Sequence, residues 1–179
     1  MVLTKTPICN FGEKTKSFEL KGIDGQLHKL EDHIGKNGLL IMFICNHCPY
    51  VKAIIRDIVE DCKNLKKEGV NSIAIMSNDT KEYPEDSFEN MKIFSKKFNF
   101  SFPYLIDETQ EIAKEYGAVC TPDFFGYNSK LELQYRGRIR ELKDLKPINS
   151  GESDLSRAMR LIIKTCLLYT SDAADEHGC

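Results

Sequence analysis

The apolar run "GLLIMFIC", Gly38 to Cys45, is the segment that leaves this chain least freedom. It shows no alternation of polar and apolar residues, which is the pattern of a strand covered on both faces of a sheet. A helix is expected directly after it. From Pro49 to Glu68 the apolar positions Val51, Ile54, Ile55, Ile58, Val59, Cys62 and Leu65 recur at helical spacing, and Gly69 ends the run. "VNSIAIMS", Val70 to Ser77, reads as a second buried strand. Strand, helix and strand then make a βαβ unit with parallel strands and a right-handed crossover.

The other elements fit around that unit. "SFELKGIDGQLHKL" alternates about Asp24-Gly25, a turn signal, and predicts an N-terminal β-hairpin. Asp86 to Phe98 predicts a helix, with Phe88, Met91, Ile93, Phe94 and Phe98 on its inner side. A short strand at "PYLID", a helix from Glu108 to Tyr116 closed by Gly117, and the turn "AVCTPD" follow. "DFFGYN" and "LELQYRGRI" read as an antiparallel pair joined at Asn128 to Lys130. Asp154 to Lys164 predicts a last helix, capped by Ser153 or Asp154. The fold class is α/β: a central mixed sheet flanked by helices, with the N-terminal hairpin and a helical insertion.

The 179 residues, 41% hydrophobic, suffice for one domain with a core and not for two. That domain is expected over 1–165. Residues 166–179 carry "CLLYTSDAADE", the in-frame reading of a common transposase sequencing adapter, and are expected to be a non-native tail. Without the tail, which holds three acids and no Lys or Arg, 25 basic residues face 24 acidic ones. Near-neutral charge and scattered lysines point away from nucleic acid and anionic membranes. The longest apolar run is far short of the about 20 residues a membrane helix needs, and "MVLTKTPICNFGEKTK" has no apolar signal core. A cytoplasmic protein with reduced resting thiols is the expectation.

Chemistry enters at "CNHCPYV", Cys45 to Val51. A Cys-x-x-Cys at the C-terminal end of a central strand, opening a helix, reads as redox chemistry rather than metal binding. Unpaired N–H groups and the helix dipole favour a thiolate there. Cys45 is expected to be the more exposed thiol with the lower pKa, and Cys48 to resolve the mixed disulfide from within the first turn. His47 is a candidate to tune the anion, and Pro49 suits the first helical position. The plainer alternatives are two packed structural cysteines and an ordinary surface histidine. A metal or iron–sulfur module would need Cys45, Cys48 and Cys120, with His47, since no second Cys-x-x-Cys exists.

Four stretches carry a resemblance: "CNHCPYV", "IAIMSND" at Ile73 to Asp79, "FPYLIDETQEIAKEYGA" at Phe102 to Ala118, and "CTPDFF" at Cys120 to Phe125. Together, over roughly Phe11 to Lys164, they resemble the thioredoxin superfamily, in particular peroxiredoxin-like redoxins related to the alkyl hydroperoxide reductase and thiol-specific antioxidant family. The resemblance implies a thioredoxin-like fold and a cis bond at Thr121-Pro122, facing Cys45 and Cys48. It also implies a thiol-disulfide oxidoreductase with an antioxidant, redox-homeostasis role, or alternatively a thiol-dependent peroxidase. Two departures stand out. Peroxiredoxins carry Thr or Ser three residues before the peroxidatic cysteine, Pro seven before it and Arg near the cis-proline, whereas Cys48 is preceded by Cys45 and Ile41, and Thr121 stands near the arginine's place. Thioredoxins keep a buried acid six residues before the first cysteine, where this chain has Leu39.

No cofactor is expected. The partners expected are a protein or small-molecule disulfide, or a peroxide, and a thiol electron donor that the sequence does not name. Cys120 is a third redox thiol, a ligand or a packed residue; Cys62 reads as core. "YRGRIR", Tyr135 to Arg140, reads as a solvated face, and "YPEDSFEN" as an acidic loop.

Overall fold

The computed structural model describes residues 9–164, so the tail expected at 166–179 lies outside the described residues. All six residues of the strand expected at "GLLIMF" are buried, and they alternate between two cores. The strands are β1 (Glu19–Gly22), β2 (Leu27–Lys29), β3 (Gly38–Phe43), β4 (Val70–Met76), β5 (Tyr104–Ile106), β6 (Asp123–Asn128), β7 (Leu133–Gly137), β8 (Leu142–Lys143) and β9 (Lys146–Pro147). The helices are α1 (Pro49–Lys67), α2 (Phe88–Phe98), α3 (Glu111–Tyr116) and α4 (Asp154–Lys164).

Because side chains alternate along a strand, Leu40, Met42 and Ile44 pack with Val51, Ile54 and Ile58 of α1 and Met159 of α4. Leu39, Ile41 and Phe43 meet Ile73, Ile75 and Tyr116 on the other side. The strands form the groups β2-β1-β5-β4 and β3-β6-β7. β3 and β4 run side by side in the same direction. At their two ends Asn37 N–H donates to Gly69 O at 2.8 Å and Ile44 N–H to Ile75 O at 3.0 Å. β4 is also parallel to β5, whereas β1-β2, β1-β5, β3-β6 and β6-β7 are antiparallel, so the mixed sheet expected from sequence is present. This sheet delivers the end of β3 and the start of β6 to one edge, since Phe43 pairs with Asp123.

Several local expectations change. Ile93 is 64% exposed rather than inward, because at 100° per residue it lies across α2 from Met91. α2 begins at Phe88, since Pro84–Asp86 form a separate 3-10 turn. α3 begins at Glu111, because Gln110 takes a left-handed conformation, φ 62°, and Asp107 Oδ2 accepts from Ala113 N–H at 2.9 Å. The hairpin β8-β9 was not anticipated; its turn residues Asp144 and Leu145 both have positive φ without a glycine to announce it. For α4 the cap is Ser153, whose Oγ accepts from Ser156 N–H at 2.9 Å and donates to Asp61 of α1 at 2.5 Å.

The "YRGRIR" arginines are not a solvated face. Arg136 is only 4% exposed. Its Nη2 donates to Asp123 Oδ2 and to Gly117 O, each at 2.7 Å, while its guanidinium lies over the Phe125 ring at 4.5 Å. One side chain therefore pins both ends of the 118–122 loop. Arg138 pairs with Asp154 at 3.1 Å and Arg140 with Asp57 at 3.2 Å, tying the strand end to α4 and α1. The acids that draw these arginines inward are distant in sequence, which is why alternation alone misplaced them.

Arg136→Ala is expected to destabilise the protein by about 3–5 kcal/mol, because it leaves Asp123 buried without its counter-charge. Urea unfolding measures it, and the double change Arg136→Met with Asp123→Leu is expected to recover most of the loss.

Candidate active site

Where β3 ends, the chain leaves the sheet as a short loop, Ile44 to His47, and turns into α1 with Cys48 as N-cap and Pro49 at the first helical position. The Thr121-Pro122 peptide bond is cis. It sits against the cysteines. Thr121 Oγ1 is 3.2 Å from Cys45 Sγ, and Thr121 O is 3.2 Å from Cys48 Sγ, which donates to it when protonated. The structure thus brings together Cys45, His47, Cys48, Pro49, Thr121 and Pro122. Cys120 lines the same cleft, of about 460 Å³, with Phe43, Tyr50, Tyr83 and Gln110. Cys62 is core, as expected, 2% exposed against Met42.

The order of the two thiols differs from expectation. Cys45 is fully buried, and Cys48 is the one with residual exposure, 8%. Cys48, not Cys45, is the helix cap. Its thiolate is held down to about 5, first by the hydrogen bond from the Cys45 thiol and then, against the opposing cost of burial, by the N–H groups of Val51 and Tyr50 and by Thr121. Cys45 is pushed up by donating a hydrogen bond to the Cys48 sulfur, by burial and by the nearby Asp86 charge. Of the two thiols, Cys48 is the one these contacts shift toward the anion. The first turn's N–H groups open at Cys48, three residues beyond the position expected from sequence.

Asp86, absent from the sequence reading, organises the loop. The acidic stretch "YPEDSFEN" does not simply face water, for Asp86 is 0% exposed. Its Oδ1 accepts from Asn46 N–H at 2.7 Å and His47 N–H at 3.1 Å. Its Oδ2 accepts from Asn78 Nδ2 at 2.8 Å and lies 2.6 Å from His47 Nδ1. The Asn46 amide donates to Glu85 O at 3.1 Å and its carbonyl accepts from Tyr104 Oη at 3.1 Å. The His47 ring stacks on Tyr83, centroids 4.6 Å apart and 3° from parallel. No linear signal ties Asp86 to a motif 40 residues earlier; a buried acid just after Tyr83-Pro84 is visible only once the chain is folded.

The metal-binding alternative expected Cys45, Cys48 and Cys120 with His47. The donors that converge, among the described residues, are instead Cys45, His47 and Asp86, within 4.8 Å of one another. Both Asp86 oxygens already accept two bonds each, so this carboxylate is committed to holding the loop.

A strand end, a dithiol at a helix start and a cis-proline loop facing it define a dithiol redoxin of thioredoxin-like fold. The chain matches the AhpC/TSA family over residues 11–142, and it belongs to that family. It is 27% identical to the thiol-disulfide oxidoreductase ResA of Bacillus thuringiensis, over 68% of this chain and 66% of that protein's length. The crystal structure of an uncharacterized conserved protein from Geobacillus kaustophilus aligns with a TM-score of 0.83 at 36% identity, covering 96% of this chain and 91% of that one. A secreted disulfide oxidoreductase of Mycobacterium tuberculosis shares the fold, with TM-score 0.62 at 15% identity, over 80% of this chain and 95% of that one.

Alkylation of the reduced protein with iodoacetamide, followed by peptide mapping, is expected to label Cys48 before Cys45. The Cys48 rate should rise with pH to a plateau with a midpoint near 5. Labelling of Cys45 first at pH 6 would contradict the assignment of the anion.

Proposed function

We propose that this protein is a thiol-disulfide oxidoreductase that acts through the Cys45 and Cys48 pair. The observation that carries the reading is the placement of the two thiols: Cys48, with residual exposure, caps α1 beside a fully buried Cys45, and both lie against Thr121. A thiolate is the attacking species in disulfide exchange, and a low-pKa thiol is also a good leaving group in the reverse direction. Cys48 attacks the substrate disulfide and Cys45 resolves the mixed disulfide, the reverse of the order expected from sequence. The similarity to a protein named thiol-disulfide oxidoreductase ResA supports disulfide exchange as the reaction. The substrate class is a protein or small-molecule disulfide, with an external thiol as electron donor. We further propose a cytoplasmic setting in which the pair rests reduced and serves redox homeostasis. Recovery of the pair as a disulfide from intact, rapidly quenched cells would argue against that setting.

One observation favours a second reading, a thiol peroxidase. The acidic thiol is Cys48, the position that the family resemblance aligns with the peroxidatic cysteine. Against it, the arginine that approaches the Thr121 loop is Arg136, and its guanidinium is spent on Asp123 and Gly117.

Cys48→Ser is expected to abolish reduction of an insulin or aromatic disulfide, whereas Cys45→Ser leaves attack intact and accumulates a mixed disulfide on Cys48. Mass spectrometry after acid quench reads the adduct. Peroxide consumption faster than disulfide reduction, with a sulfenic acid on Cys48, would put the peroxidase first.

A further inference from the structure

α1 carries a charge pattern that the dithiol chemistry does not use. Scattered along the chain, the lysines are gathered by this helix. Lys52, Arg56, Lys63, Lys66 and Lys67 are all exposed, and with about 3.6 residues per turn they share an arc of about 100°, a stripe about 22 Å long. The acids of the helix and of its C-cap are engaged elsewhere. Asp57 pairs with Arg140 at 3.2 Å, Glu68 pairs with Arg160 at 2.8 Å, and Asp61 is buried against Ser153. Glu60 is the one α1 acid that is exposed, and it flanks the stripe. None of the five cations has a carboxylate partner among the described residues; Lys67 Nζ donates to Asn64 Oδ1 at 3.2 Å.

Helix stability accounts for part of this pattern. Lys66 and Lys67 close the last turn, where cations offset the dipole. Lys52 and Arg56 do not fit that account, because they lie in the first half of α1, where the dipole favours acids, and the first turn holds none. The Lys52 N–H donates to Cys48 O at 3.0 Å, so the stripe starts one turn from the attacking residue. The cleft around that residue continues the same sign. Its described lining includes His47 and Lys114 and no Asp or Glu, while Asp86 is fully buried and bonded to His47. Along the helix, Arg56, Val59, Lys63 and Lys67 border a groove of about 350 Å³ against Phe98 of α2, and Lys97 lies over the Phe98 ring at 5.4 Å.

We propose that this stripe docks an acidic segment of the protein whose disulfide Cys48 attacks. The proposal rests on the dithiol reading above and names the class of its substrate, a protein disulfide flanked by Asp or Glu. Stripe and dithiol share one helix, so a negative segment laid along α1 brings its disulfide to the helix start and the cleft. Lys52 and Arg56, and again Lys63 and Lys67, are separated by about 6 Å of helix rise, the spacing of Glu side chains at i and i+4 of a partner helix. A nucleic acid would meet the same charges but has no disulfide to bring to Cys48. Each exposed contact is weak alone, whereas the summed field speeds encounter and is screened by salt. The exchange keeps its balance: two protein thiols are oxidised to one disulfide, and one substrate disulfide is reduced to two thiols.

The experiment mixes reduced full-length protein with either of two synthetic peptides that share one disulfide loop and differ only in a helical flank bearing Glu or Lys at i, i+4 spacing. Acid quench and mass spectrometry give the second-order rate constant for each, and the ratio is read, so that a general loss of activity cancels. At about 20 mM salt the Glu-flanked peptide is expected to react about 30-fold faster than the Lys-flanked one, falling to about threefold at about 500 mM. The triple change Lys52→Gln, Arg56→Gln, Lys63→Gln is expected to bring the low-salt ratio to about threefold, and Lys52→Glu, Arg56→Glu, Lys63→Glu to invert it. If the Glu variant fails to melt cooperatively, the Gln variant decides alone. A parent ratio near one, or a parent preference that the variants leave intact, would overturn the proposal; a ratio near one with tight binding of oligo(dT) would give the stripe to a nucleic acid. A parent protein that reduces neither peptide, nor the small neutral bis(2-hydroxyethyl) disulfide, would overturn the dithiol reading, and this proposal with it.

Discussion

Everything at the candidate site depends on one buried carboxylate. Removing an ionised acid from water costs several kcal/mol unless its oxygens are fully satisfied. Asp86 meets that condition only if Asn46, His47 and Asn78 converge on it, and those donors come from the loop after β3 and the loop after β4. The desolvation cost thus becomes a constraint: the Cys-x-x-Cys loop has one position in which Asp86 is paired. Tyr104 extends the same network into the sheet through Asn46. The loop that carries the thiols is therefore held by a polar network as well as by the apolar core in which Cys45 and Cys48 are buried, and the network sits where β3 and β6 deliver the chain.

The thiol pair follows from that placement. With the loop fixed, Cys48 becomes the helix cap and receives N–H groups, while Cys45 is left beside a negative charge it cannot escape. Both effects push in the same direction. Both favour the anion on Cys48 over Cys45.

The cis-proline loop is held by a second buried ion pair. Arg136 grips Gly117 O at one end and Asp123 at the other, so Thr121 is presented to both sulfurs by a segment fixed at its two ends. Hydrophobic burial closes the rest of the structure, with β3 contributing alternate side chains to two cores. The ion pairs add little net stability in such a setting, but losing one partner would leave a bare buried charge. Their role is to fix geometry.

The amino-acid sequence by itself determined the layers and their order. Unbroken apolar runs at Gly38 and Val70, helical spacing between them, and turn residues at Asp24-Gly25 are local signals, and local signals survive reading in one dimension. The Cys-x-x-Cys and Thr-Pro motifs were legible for the same reason, each being contiguous. Tertiary structure alone decided which thiol carries the charge, because the helix start at Cys48 and the approach of Asp86 are facts of distance and not of spacing. It also decided that Arg136 is buried and Ile93 is not, since the acid that draws Arg136 inward lies thirteen residues away on a neighbouring strand and the face of α2 is set by what packs on it. Hydrophobic patterning is written along the chain, whereas a charge acquires its meaning from partners that only folding brings near.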